Sequence, residues 1–163
     1  MRILVVEGDD ANSAYLRKSL QEHGFVVDVA NDGITGGQCA AQRTYSLVIV
    51  NLQLPGIDGE RLIRTLRQRD PCLALLAMTS PDRVDHTVCA FSAGADDAIA
   101  KPFAFAELLA RIGSLLRRTT TQERILDDRM ELADLEIDRS SRRVLRGGRL
   151  LALTLQEYSL LCL

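Results

Sequence analysis

No C-x-x-C spacing occurs in this sequence. Its four cysteines, Cys39, Cys72, Cys89 and Cys162, are scattered. That speaks against a zinc site or a disulfide framework and for reduced thiols in the cytosol. No apolar run approaches the ~20 residues that a membrane-spanning helix needs. The opening segment turns acidic at Glu7, too early for a signal peptide, and reads as a first strand. Charge of neither sign dominates. The formal net charge is −2, so nothing draws the molecule as a whole to nucleic acid or to a membrane surface. The G-x-G-x-x-G loop and the P-loop are both missing, and no nucleophile stands with a base, which argues against an enzyme.

What is present is an aliphatic chain with a regular beat. Hydrophobic residues make up 47% of 163, enough for one ordinary domain with a sizeable core and part of another. Short β-branched runs alternate with amphipathic stretches. Strands are expected at 2–6, 25–29, 47–50, 73–78 and 98–100. Helices are expected between them, on Ala14, Leu16 and Leu20; over 34–42; on Leu62, Ile63 and Leu66; and on Val84, Val88 and Phe91. Ser80-Pro81-Asp82 reads as an N-cap, a first-turn proline and an acid at the positive helix end. The fifth helix has the clearest pattern, with Phe105, Leu108, Leu109, Ile112, Leu115 and Leu116 on one face. Five strand-then-helix units imply a doubly wound α/β fold with a parallel five-stranded sheet.

After Arg118 the style changes. Residues 119–129 read as a polar linker, and 130–163 as a small antiparallel β fragment. Its Gly147-Gly148 pair marks a hairpin turn, and Thr154 with Glu157 reads as a capping box. Arg139, Arg142, Arg143, Arg146 and Arg149 read as a solvated hairpin face.

In an open α/β sheet the site lies at the carboxyl ends of the strands. Those ends carry Glu7, Gly8, Asp9 and Asp10, then Asn51, Thr79 and Lys101. An acid, a hydroxyl and an ammonium around one point suit a phosphoryl group with a magnesium ion. Asn51 is the anomaly, because that chemistry wants a carboxylate there. Asp10 reads first as a cap of the opening helix.

The motifs ILVVEGDD, VIVNLQLPGIDG, the threonine of LLAMTSPD, and GADDAIAKPFAFAELLARI give the chain its likeness. It resembles a response-regulator receiver domain of the OmpR/PhoB winged-helix subfamily, with a flavodoxin-like (βα)5 fold, over residues 1–118. Residues 130–163 are similar to the opening part of that subfamily's DNA-binding domain, with the recognition helix and wing lacking. The resemblance implies that position 51 accepts phosphate from a histidine kinase, and that two adjacent acids, matched here to Gly8 and Asp9, bind magnesium. It further implies that Thr79 and Lys101 contact the phosphoryl group, that an aromatic switch residue stands at Ala98, and that Lys101-Pro102 is a cis peptide. Gly8, Asn51 and Ala98 all depart from that pattern.

An amide is not a usable nucleophile for phosphoryl transfer, and glycine offers no metal ligand. Asp9 is left as the expected pocket carboxylate, balanced by Lys101 without a metal, with Asn51 bonded to Lys101 or Thr79. Weak or absent magnesium binding and no other cofactor are therefore expected. The resemblance also implies a homodimer through the fourth helix, fifth strand and fifth helix, with Asp96, Asp97, Glu107, Arg111 and Arg118 on that face. Two readings follow. One is a cytoplasmic transcriptional regulator independent of aspartyl phosphorylation, touching DNA only through a complete C-terminal domain. The other is a truncated module that pairs with intact regulators and blocks them.

Overall fold

The computed structural model describes residues 1–80, 84–127, 129–132, 135–138 and 143–151. They divide into two compact units, Met1–Thr119 and Thr120–Leu163.

Residues 2–127 alternate β1 (Arg2–Val6), α1 (Asp10–Glu22), β2 (Val26–Ala30), α2 (Gly33–Gln42), β3 (Leu47–Asn51), α3 (Gly59–Arg69), β4 (Ala74–Thr79), α4 (Val84–Ala93), β5 (Asp97–Ala100) and α5 (Phe105–Asp127), the last helix running past the end of the first unit. The strands are parallel, in the order β2-β1-β3-β4-β5. This is the doubly wound sheet that the alternation predicts. β3 and β4 are buried along their whole length, which is why they read as continuous apolar runs.

Side-chain alternation splits the core into two layers. Ile3, Val5, Leu47, Ile49, Leu76 and Met78 face Leu16 and Leu20 of α1 and Leu108, Ile112 and Leu115 of α5. Leu4, Val6, Val48, Val50, Leu75 and Ala77 face Leu62, Ile63 and Leu66 of α3 and Ala90 and Ala93 of α4. The strand order turns back between β1 and β3, and the crevice opens there.

Of the boundaries that differ from the expectation, two have a plain physical cause. Phe25 is not the first residue of β2. Its N–H goes to the Leu20 carbonyl at 3.2 Å, while Gly24, at φ +84°, sends its own to Gln21 at 3.0 Å. Together they close α1 in a Schellman-type cap, so the strand starts one residue later. α5 runs on to Asp127, through most of the stretch expected to be a polar linker over 119–129. Polarity suggested a linker, yet no glycine or proline interrupts 119–127, so nothing in the backbone stops the helix.

The second unit contains β6 (Arg129–Leu132), β7 (Leu135–Asp138), β8 (Arg143–Arg146) and β9 (Arg149–Leu151), an antiparallel sheet in sequence order. Gly147 and Gly148 take φ +55° and +76°, the two left-handed residues of a primed hairpin turn, with Arg146 opposite Arg149. The expected capping box at Thr154 and Glu157, and the helix start at Pro81 and Asp82, lie outside the described residues.

Candidate functional site

The tips of β1, β3, β4 and β5 carry Glu7, Asn51, Thr79 and Lys101. Register decides which of these meet. Val5 lies beside Ile49 and Val6 beside Val50, so one further step sets Glu7 beside Asn51. By alternation Glu7 follows Ile3 and Val5 to the face covered by α1 and α5.

Glu7 is 1% exposed, and both its oxygens are engaged. Oε1 accepts Asn51 Nδ2 at 2.8 Å and the Asp9 N–H at 3.2 Å. Oε2 takes the ammonium of Lys101, whose side chain is 28% exposed. A buried carboxylate without such partners costs several kcal/mol. Asn51 is committed at its other end too, because its Oδ1 accepts the Gln53 N–H at 3.1 Å. That backbone donor fixes the amide's orientation: only the oxygen can receive it, which leaves the NH2 for Glu7. Gly59 holds the loop from beneath. A Cβ there would lie 2.3 Å from the Asn51 carbonyl oxygen, so only glycine lets α3 begin against this backbone.

Several expected roles are corrected by this geometry. Asp9 is not the pocket carboxylate, and it does not pair with Lys101. It is exposed and caps α1, its Oδ1 accepting the Asn12 N–H at 2.8 Å. Two residues beyond Glu7 the chain has already turned into the helix. Asp10 is the first helical residue and not the cap, and it accepts Asn31 Nδ2 at 3.1 Å. Asn51 bonds to Glu7 and not to Lys101 or Thr79. Thr79 is buried and turns its hydroxyl to the Ile99 carbonyl at 3.4 Å. Ala98 is half-buried and packs at the edge of the α3/α4 layer. The Lys101–Pro102 peptide is cis.

Glu7 is the residue that sequence reasoning undervalued. Its signal lies in the β1–β3 register, which pairs it with Asn51 one step past Val6 and Val50 and which only the folded sheet supplies.

This donor set does not fit the magnesium ion that the resemblance implies. Magnesium wants near-octahedral oxygen ligands, including carboxylates free to bind it. Here the one buried carboxylate among the described residues holds an ammonium and an amide. Gly8 supplies no ligand, the Asn51 oxygen faces an N–H, and Asp9 is spent on a helix. Among the described residues no cluster of three or more His, Cys, Asp or Glu is placed to hold a metal. Beside the ion pair opens a cavity of about 440 Å³, lined mainly by Tyr15, Leu16, Pro102 and Phe103.

On the opposite flank, Arg111 forks onto both oxygens of Asp97 at 3.0 and 2.9 Å and reaches Glu107 at 2.8 Å. The two carboxylates raise the Arg111 pKa further, with Glu107 the larger influence. Asp96 is used inside the chain, accepting Arg67 at 2.7 Å and the Leu75 N–H at 2.8 Å. Arg118 is exposed.

Comparison with known proteins bears on the same stretch of chain. The family of response regulator receiver domains matches residues 3–113. The chain is 45% identical over 161 residues to a Salmonella typhimurium protein named probable transcriptional regulatory protein SilR, covering 99% of this chain and 70% of that one. It is 40% identical, with the same coverage, to the transcriptional regulatory protein CusR of Escherichia coli K12. Among solved structures, a CheY-like receiver domain protein of Methanospirillum hungatei superposes with a TM-score of 0.71 at 25% identity, covering 74% of this chain and 97% of that one.

Proposed function

Since the chain belongs to the response regulator receiver family, we propose that it acts as a two-component transcriptional regulator whose receiver does not depend on aspartyl phosphorylation. The observation that carries this reading is Asn51. It stands at the tip of β3 with its amide nitrogen on Glu7 and its oxygen on a backbone N–H. An amide has no lone pair basic enough to attack a phosphoryl group, and this one is held at both ends.

The relatives named as transcriptional regulators support the regulatory half of the proposal. In this reading a histidine kinase is a family partner with no acceptor to serve, and magnesium has no role in signalling. DNA is met through a complete C-terminal domain. No described helix is long and apolar enough to cross a membrane. The active assembly is a homodimer through α4, β5 and α5, where α4 exposes Val88 and Phe91 and where β5 and α5 carry Asp97, Glu107 and Arg111.

Incubation of the chain with acetyl phosphate and magnesium, followed by intact mass spectrometry, tests the proposal. No phosphoryl adduct is expected. An adduct mapped to a crevice residue would refute it.

A further inference from the structure

We infer that Lys101 is the resident cation of this crevice, and that its pairing with Glu7 under the Asn51 amide keeps divalent metal out. The inference rests on the reading of the receiver as silent and says what maintains the silence. Glu7 is the one buried carboxylate among the described residues. Its charge is matched inside the crevice by one ammonium and stabilised by two N–H donors. A divalent cation entering here would have to displace Lys101 and, among the described residues, would find no second buried carboxylate.

The arrangement has a consequence for reversal. Asn51→Asp sets a new carboxylate against Glu7 Oε1, where the amide now donates, so it loses a hydrogen bond and adds repulsion. Lys101 then has two acids to serve and still matches part of the charge. Two acids against one ammonium leave a single uncancelled negative charge, and it takes a third acid, at position 8, to leave the excess that a divalent cation neutralises. Position 8 has itself been closed over, since a Cβ on Gly8 would meet Pro55 Cδ at 2.8 Å. The loop between β3 and α3 must therefore shift before any side chain enters. Silence is thus set by the charge balance against Lys101, and an acid at position 51 alone does not restore the site.

Calorimetric titration of the whole chain with Mn2+ tests this. The parent and Asn51→Asp are expected to show no saturable heat up to about 10 mM, and Gly8→Asp/Asn51→Asp to saturate in the millimolar range. Saturation of the parent or of Asn51→Asp below about 1 mM overturns the inference. So does a double variant that melts like the parent yet takes up no metal. Should the double variant not fold, Lys101→Met decides. A Mn2+-dependent rise in its Tm, absent from the parent, supports the role of Lys101, and no rise refutes it. A phosphoryl adduct elsewhere in the crevice would end the silent-receiver reading and leave these titrations unchanged. A metal-binding parent without an adduct would do the reverse.

Discussion

Asp28 gathers the Arg2 guanidinium at 2.8 Å, the Tyr45 hydroxyl at 2.9 Å and Arg43 at 3.4 Å. Burial pushes its pKa up, but the hydrogen bonds and positive charges outweigh that and leave it below the usual 3.8. This contribution to stability is present above the ordinary carboxylate range and is lost as pH falls through the depressed value. Tyr45 moves the other way, pushed up to about 12 by burial and then by its bond to Asp28. Between 10 and 12 the unfolded chain releases its phenolic proton while the folded chain keeps it, so stability falls as pH rises across that window. Tyr45→Phe is expected to cost about 1.5 kcal/mol at neutral pH, the worth of a hydrogen bond to a charged group. It should also flatten the decline between pH 10 and 12, read as Tm against pH beside the parent. Nothing at Tyr45 in the sequence announced this, because its partner Asp28 lies 17 positions away along the chain.

Among elements, one side chain of α3 makes bonds to two separate connections. Arg67 donates to the carbonyls of Gly94 at 2.9 Å, Pro71 at 2.6 Å and Leu73 at 2.8 Å, and to Asp96 at 2.7 Å. One guanidinium thus satisfies the ends of the α3–β4 and α4–β5 connections together. Gly94 belongs to the same device, because it takes φ +110° and a Cβ on it would lie 2.8 Å from Arg67. Arg67→Ala should lower stability by about 2 kcal/mol, since it orphans acceptors that one planar fork had served. Arg67→Lys should recover only part of this, because an ammonium cannot span the same acceptors. Urea midpoints compared at constant m-value check both. The helix itself was legible from Leu62, Ile63 and Leu66. The role of Arg67 was not, because an arginine on a polar helix face looks the same whether it meets water or four acceptors.

For the whole molecule, the question is assembly. Arg111 is already neutralised within its own chain by Asp97 and Glu107. Exposed ion pairs of this kind are worth about 0.2 to 1 kcal/mol each, so they set register more than affinity. The proposed dimer then draws its driving force from the apolar surface of α4, with the charges selecting orientation. Arg111→Glu sets three acids together on each face. It is expected to shift sedimentation to the monomer at concentrations where the parent associates. Unchanged association would move the interface elsewhere.

The periodicity of apolar residues determined the strand and helix order, and with it the parallel sheet, because alternating burial at periods of 2 and 3.6 is written locally in the chain. The same local grammar located Asn51, Thr79 and Lys101 at strand tips. Tertiary structure alone decided which charge answers Lys101. Glu7 and Asp9 are two residues apart and chemically near-identical. One extends a buried strand to meet Asn51 44 residues away, while the other has already begun a helix, and only the packing of β1 against β3 separates those two fates.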